Sequence, residues 1–219
     1  MPIVLLDLAT NTKSNTAPEV HKTLYCELKQ HYLHYQEIFT DGSKSTNQVC
    51  AATVFLSSKL AFSTTLPHTT SIFTADLLGI QLALSNIHKT NCNFRILFSY
   101  SQSALQAINH NSSKNPIVLD ILLKYNDLIN YHYDVILCWI PGHVGIKGNI
   151  AADKLARVIT HILPIPYSDI FSYSEKYYPF QVASHLGLLI LIANYINYFR
   201  NSSTSHHYTN RILEKTRLS

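Results

Sequence analysis

The chain has 219 residues, of which 47% are apolar and only 14% charged, and its net charge is +4. This length suits one ordinary domain with extensions or at most two small ones, and the apolar share excludes a chain that is disordered throughout. The mild basic excess fits a polyanionic partner without demonstrating one. The four cysteines are far apart in sequence and form no C-x-x-C pair, which argues against a zinc site or a disulfide framework and favours free thiols.

The N-terminal residues give no sign of export. Residues 1–9 are apolar but lack a basic flank and contain Asp7, so no signal peptide is predicted, and we expect a cytoplasmic or nuclear protein that is not secreted. Residues 10–36 are polar, and residues 20–35 can form a helix with apolar side chains at four-residue spacing. We interpret residues 1–36 as a connector and not as a second domain.

Five apolar runs after residue 36 predict strands. Three of them, separated by short polar spacers, predict an antiparallel meander over residues 38–41, 49–56 and 59–66, and two more strands are predicted at 94–100 and 133–140. Helices are predicted at 74–88 with Thr74 as the cap, at 101–109, from Pro116 onward and at 150–161. This order predicts an α/β fold with helices on the faces of a mixed sheet.

The C-terminal residues do not continue this pattern. Residues 178–199 contain no Asp, Glu, Lys or Arg and are numerous enough to span a bilayer, but polar side chains dilute the run. A membrane helix, a helix packed on the domain and a poorly ordered tail all stay open. We interpret residues 164–219 as a degraded or poorly ordered tail and predict no membrane partner.

The first candidate for chemistry is a carboxylate at the end of an apolar strand. Asp41 follows Ile38-Phe39-Thr40 and precedes Gly42, which lets the backbone turn sharply. An aspartate held on a rigid strand is suited to binding a metal or acting as an acid. Asp-Gly is also a common turn pair, so this feature alone decides nothing.

Further candidates lie in four later segments. Asp76 lies in the first turn of the first predicted helix, and Tyr100 ends the fourth predicted strand. Asp153 lies in the last predicted helix. His143 lies in a turn-rich loop ahead of that helix.

Five motifs around these residues carry a resemblance to a known family. In chain order they are F-T-D-G-S-K (39–44), T-A-D-L (74–77), S-Q-S-A-L-Q-A-I (101–108), W-I-P-G-H-V-G-I-K-G-N (139–149) and A-D-K-L-A (152–156). Residues 37–162 resemble a type-one ribonuclease H domain, most closely those of non-LTR (LINE-type) retrotransposon polyproteins. The resemblance implies a ribonuclease H-like three-layer fold over residues 37–163, with a five-stranded mixed sheet and helices on both faces. It also implies that residues 1–36 are a segment that follows a reverse transcriptase.

The resemblance implies a chemistry as well. Such domains bind RNA–DNA hybrids and cut the RNA strand with two Mg²⁺ or Mn²⁺ ions, which four carboxylates hold. By position, the metal ligands are Asp41, Asp76 and Asp153. The same comparison makes His143 the loop histidine that assists proton transfer or product release, and Ser43 and Gln102 contacts to the hybrid.

Three departures from the family pattern bear on activity. Asp76 stands where the family has Glu, which shortens the reach by one methylene, and Ile150 stands where the family usually has Glu. Tyr100 stands where the family has the remaining Asp. Because a phenol with a pKa of about 10 is neutral near pH 7, three carboxylates are left for two dications. We therefore predict that hybrid cleavage is absent or very weak. The alternatives are a non-catalytic hybrid- or duplex-binding module and a retrotransposon remnant without activity.

Simpler interpretations of the same residues stay open. Asp76 can merely favour its helix N-terminus through the helix dipole, and Asp153 can be a solvated helix acid. His143 can be an ordinary loop histidine. Tyr100 can be a core aromatic on its strand, or its hydroxyl can contact a metal-bound water.

Overall fold

The computed structural model describes residues 1–10, 16–110 and 113–157. Across these residues the strands and helices, in chain order, are β1 (Ile3–Leu5), α1 (Pro18–His31), β2 (Gln36–Lys44), β3 (Val49–Phe55), β4 (Leu60–Leu66), α2 (Ile72–Asn86), β5 (Phe94–Ser99), α3 (Gln102–Asn109), α4 (Pro116–Asn130), β6 (Asp134–Trp139) and α5 (Lys147–Leu155). Short 3₁₀ helices follow β1 at Asp7–Thr10 and α2 at Ile87–Lys89.

The strands form one mixed sheet in the order β1-β6-β5-β2-β3-β4. Strands β2, β3 and β4 are an antiparallel meander, as predicted, while β5 runs parallel to β2, β6 to β5 and β1 to β6. The predicted α/β class with a mixed sheet is confirmed. The predicted number of five strands is wrong by one, because Ile3–Leu5 adds an edge strand to β6. Three apolar residues are too few to show strand periodicity in a sequence.

Helices cover both faces of the sheet, as the alternation of side chains along β2 shows. On one face, α5 approaches so closely that a Cβ atom at Gly148 would overlap the ring of Phe39. On the other face, a Cβ atom at Gly79 of α2 would lie 3.4 Å from the Cβ of Thr40. Because Phe39 and Thr40 are neighbours, α5 and α2 lie on opposite faces. Asp41, two residues after Phe39, therefore points toward α5.

Helix α1 packs on the same face of the sheet as α5. The ring of Tyr25 in α1 meets Phe98 edge to face, with centroids 5.4 Å apart, and the Tyr25 hydroxyl donates to Glu37. Lys29 also forms an ion pair with Glu37. The helix expected at 20–35 is observed at Pro18–His31, and β1 and α1 lie with the sheet in the compact unit Met1–Leu163.

Two helices begin earlier than predicted. Helix α2 starts at Ile72 because Ser71 and not Thr74 is its cap, with the Ser71 hydroxyl accepting from the Thr74 N–H at 3.0 Å. Helix α5 starts at Lys147, three residues before the predicted position, directly after the extended residue Ile146. Its predicted continuation to 161 lies outside the described residues.

The predictions for the C-terminal residues concern a part of the chain that the structure does not describe. Residues 164–219, with the apolar stretch 178–199, lie outside the described residues. Within the described ranges, no helix has the length and apolar character needed to cross a membrane. All four cysteines lie in these ranges and are free thiols.

Candidate active site

The structure brings the side chains at positions 41, 76, 100 and 153 together from four separate elements. Asp41 lies in β2, Asp76 in α2, and Asp153 in α5, while Tyr100 directly follows β5. The carboxyl groups of Asp76 and Asp153 both act electrostatically on Asp41, and Tyr100 hydrogen-bonds to Asp76. The structure therefore places these four residues close together, as predicted.

Asp41 is the most strongly perturbed of the three acids. Its side chain is buried, and the residue is only 5% exposed. Burial, followed by the nearby charges of Asp153 and Asp76, raises the pKa of Asp41 from 3.8 to about 8, although Arg157 acts in the opposite direction. A hydrogen bond also links Asp41 to Asp153. At neutral pH, Asp41 therefore keeps its proton.

Asp76 lies among hydrogen-bond donors. Burial raises its pKa to about 6, and hydrogen bonds from Ser101, Tyr100 and the backbone N–H of Gly42 limit the rise. Since α2 begins at Ile72, Asp76 is its fifth residue and lies in the second turn, not the first as predicted. Its partners, rather than the helix dipole alone, therefore determine its environment.

Glycine at position 42 allows this close approach of β2 and α2. A Cβ atom there would lie 2.4 Å from Oδ1 and 2.9 Å from the backbone nitrogen of Asp76. The aspartates on the two elements can therefore meet only if residue 42 has no side chain. The Asp-Gly pair is part of strand β2, so the interpretation as a simple turn is wrong.

Tyr100 takes part in the polar cluster through its hydroxyl. The hydroxyl donates to the Gly42 carbonyl at 2.7 Å and lies 3.1 Å from Oδ1 of Asp76. Burial, followed by the charges of Asp76 and Asp41, raises the pKa of Tyr100 well above its usual value, so that the phenol stays neutral. The Trp139 indole N–H donates to the Tyr100 carbonyl at 2.8 Å and fixes the backbone. A neutral donor thus occupies the place where the resemblance expects a fourth carboxylate.

Asp153 is held by an arginine one helical turn further on. Nη2 of Arg157 lies 2.7 Å from Oδ1 and 2.9 Å from Oδ2 of Asp153, and Nε lies 3.2 Å from Oδ1. The Arg157 side chain is 63% exposed, while that of Asp153 is 21% exposed. Both Asp153 oxygens therefore already have a cationic partner.

The other predicted site residues lie next to this cluster in sequence. His143 is exposed, with a left-handed φ of 60°, and the preceding Gly142 lies beside Tyr100, with its would-be Cβ 3.5 Å from the Tyr100 Cβ. Half-buried Ser43 follows Gly42, and exposed Gln102 opens α3 after Ser101. The roles assigned to His143, Ser43 and Gln102 stay predictions.

The three aspartates have the right chemistry for divalent cations, since Mg²⁺ prefers carboxylate oxygens. Their surroundings do not fit the pair of ions that the resemblance implies. Arg157 engages both oxygens of Asp153, and the Tyr100 hydroxyl engages Asp76. Within residues 1–10, 16–110 and 113–157, no three side chains of His, Cys, Asp or Glu are placed to hold a metal ion together.

The sequence analysis missed two partners of these acids, Ser101 and Arg157. The i,i+4 spacing of Asp153 and Arg157 is a recognisable signal for a helical ion pair. The hydrogen bond from Ser101 to Asp76 joins residues 25 positions apart and has no local signal.

Comparison with known proteins agrees with this geometry. A family model described as RNase H matches residues 34–160, which is more than half of the chain. No curated protein matches the chain significantly. The non-LTR retrotransposon context and the domain boundaries at residues 37 and 163 stay predictions.

Proposed function

The chain belongs to the ribonuclease H family, and on that premise we propose that it binds RNA–DNA hybrids and cleaves their RNA strand very weakly or not at all. Members of this family act on nucleic acid and generally use divalent metal ions. The net charge of +4 suits a polyanionic ligand. Binding and cleavage are separate properties here, because they depend on different groups.

The observation that carries the proposal is the position of the Tyr100 hydroxyl. It donates to the Gly42 carbonyl and lies within hydrogen-bond distance of Asp76. A neutral phenol does not supply the negative charge of an aspartate, and its ring occupies space beside Asp76. Hydrolysis of a phosphodiester with two metal ions requires ligands placed to within about 0.5 Å. Losing one carboxylate and shortening another at position 76 therefore lowers cleavage far more than it lowers binding.

The remaining residues support hybrid binding rather than chemistry. Ser43 and Gln102 flank the cluster in sequence and carry side chains suited to hydrogen bonds with 2′-hydroxyls in the minor groove. His143 is exposed and lies on the loop whose Gly142 is next to Tyr100. The chain contains these three polar side chains although Tyr100 stands in place of the fourth carboxylate.

A paired assay of cleavage and binding tests the proposal. Wild type, Tyr100→Asp and Tyr100→Phe are incubated with an end-labelled hybrid in Mg²⁺ or Mn²⁺, and affinity is measured in parallel by fluorescence anisotropy. Tyr100→Phe is the matched control because it removes the hydroxyl without adding a carboxylate. We expect all three proteins to bind, and Tyr100→Asp alone to gain cleavage.

Each other result has a distinct meaning. If wild type cuts as fast as Tyr100→Asp, the interpretation of Tyr100 is wrong. If neither wild type nor any variant binds the hybrid, the binding proposal is wrong. The remaining interpretation is then a retrotransposon remnant without activity.

A further inference from the structure

Arg157 lies beside the aspartate cluster and carries an exposed positive charge. Its side chain is 63% exposed and binds Asp153 through both carboxylate oxygens. The same charge acts on buried Asp41. Arg157 thus brings a positive charge to the aspartate cluster from within the chain.

The backbone at Arg157 is also fixed near the β2–β3 connection. The Gln48 side-chain amide donates to the Arg157 carbonyl at 3.3 Å, which ties the end of the last helical turn to the sheet. The guanidinium therefore stays within the reach of its own side chain from Asp153 when the ion pair opens. A restrained backbone reduces the backbone entropy that is lost when Arg157 binds a new partner.

We propose that Arg157 is a phosphate-binding residue, which exchanges Asp153 for a backbone phosphate of the nucleic acid and so allows binding without a divalent cation. The proposal rests on the hybrid binding proposed above and names the group that contacts the backbone. A guanidinium can bind a phosphate with the same bidentate hydrogen bonds that it makes to a carboxylate. The Arg157 side chain is 63% exposed, so water can solvate its charge when the ion pair opens, although Asp153 is only 21% exposed.

The exchange of Asp153 for a phosphate also reduces the electrostatic repulsion between the carboxylates and the nucleic acid. Asp76 and Asp153 repel a phosphate that approaches the cluster, unless a cation lies between them and the ligand. Divalent cations play that part where two of them are bound, whereas here the surroundings of the carboxylates do not fit such a pair. Arg157 brings the required charge from within the chain, and each phosphate contact adds to the salt dependence of binding.

The test measures hybrid affinity in EDTA over a series of salt concentrations for wild type, Arg157→Gln and Lys124→Gln. Lys124 forms an ion pair with Asp120 at 3.3 Å, also four residues apart, in α4. It therefore controls for the loss of one charge and one helical ion pair away from the cluster. We expect Arg157→Gln to weaken binding roughly three- to tenfold and to reduce the slope of log affinity against log salt by about 0.7 to 0.9. Lys124→Gln is expected to change neither quantity beyond twofold.

Asp153→Asn provides a second, opposite test. Removing the competing carboxylate frees the guanidinium, so the variant is expected to bind hybrid more tightly in EDTA. That gain is expected to disappear in the double variant Asp153→Asn with Arg157→Gln. A gain that persists in the double variant would mean that lost repulsion alone is responsible and would overturn the role of Arg157.

The outcomes separate this inference from the proposed function. Failure of wild type to bind any hybrid overturns both. Binding by wild type that Arg157→Gln matches in affinity and salt slope overturns the inference alone and leaves the proposed function intact. Thermal unfolding of each variant shows whether a loss of affinity comes from a loss of fold.

Discussion

Replacing Asp41 by asparagine is expected to stabilise the fold at neutral pH. In the native state, burial and the charges of Asp153 and Asp76 raise the pKa of Asp41 from 3.8 to about 8. In the unfolded chain the same carboxyl is ionised above about pH 4. The native protein therefore binds a proton that the unfolded chain releases, and stability falls as pH rises through this window.

The size of the effect follows from the pKa difference. At pH 7 the native state holds this proton about three pH units above the ordinary pKa, which costs about 4 kcal/mol at about 1.4 kcal/mol per unit. Asparagine avoids ionisation but replaces only part of the hydrogen bonding to Asp153, so we expect a net gain of roughly 1–2 kcal/mol. For a unit of this size the melting temperature would rise by roughly 2–8 °C.

The assay is equilibrium unfolding in urea at pH 5, 7 and 8, followed by circular dichroism. The control is Asp127→Asn, which removes an exposed carboxylate from α4. The advantage of Asp41→Asn over wild type is expected to grow with pH across this series, while the control shows no such trend. A variant that is destabilised at every pH, or whose advantage does not depend on pH, would refute the electrostatic account of Asp41.

Two further substitutions test the packing that places the cluster. Gly42→Ala puts a Cβ atom 2.4 Å from Oδ1 and 2.9 Å from the backbone nitrogen of Asp76, so we expect a loss of about 1–3 kcal/mol in the free energy of unfolding. Asp76→Ala in the same chain is expected to recover only the part of this loss that comes from the side-chain clash, because the backbone contact stays; no recovery at all would mean that the Asp76 carboxylate plays no part in the clash. Tyr125→Phe removes a hydroxyl that donates to the Val135 carbonyl at 2.7 Å and accepts from the Ile3 N–H at 3.1 Å, so we expect a loss of about 1–2 kcal/mol in the free energy of unfolding and faster hydrogen exchange in β1; unchanged exchange at Ile3–Leu5 would show that these two hydrogen bonds do not hold β1 on the sheet.

Local patterns were sufficient for the elements that form the middle of the fold. The apolar runs around Phe39, Val49 and Leu66 show strand patterns, and their short polar spacers indicate hairpins. The motifs around Asp41 and Asp153 drew attention to two of the acids, and the family resemblance that these motifs carry implied that they converge. These features depend on neighbouring residues and so can be read from a sequence.

The remaining features depend on contacts between distant residues. Strand β1 forms because the edge of β6 accepts Ile3–Leu5, and nothing within those three residues encodes this pairing. The raised pKa of Asp41 requires burial and two further carboxylates, which only the folded chain provides. Likewise, the sequence shows that Tyr100 replaces an aspartate but not that its hydroxyl reaches Asp76 and the Gly42 carbonyl.

The central claim is that two neighbouring groups bind the carboxylate oxygens that divalent cations would need as ligands. The Tyr100 hydroxyl binds Asp76, and the Arg157 guanidinium binds Asp153. Titration of wild type and Tyr100→Asp with Mn²⁺ in a calorimeter tests it most directly. We expect wild type to bind Mn²⁺ at least tenfold more weakly than the variant, because the substitution removes a neutral donor and adds a carboxylate. Equal affinity and equal stoichiometry for the two proteins would contradict the claim.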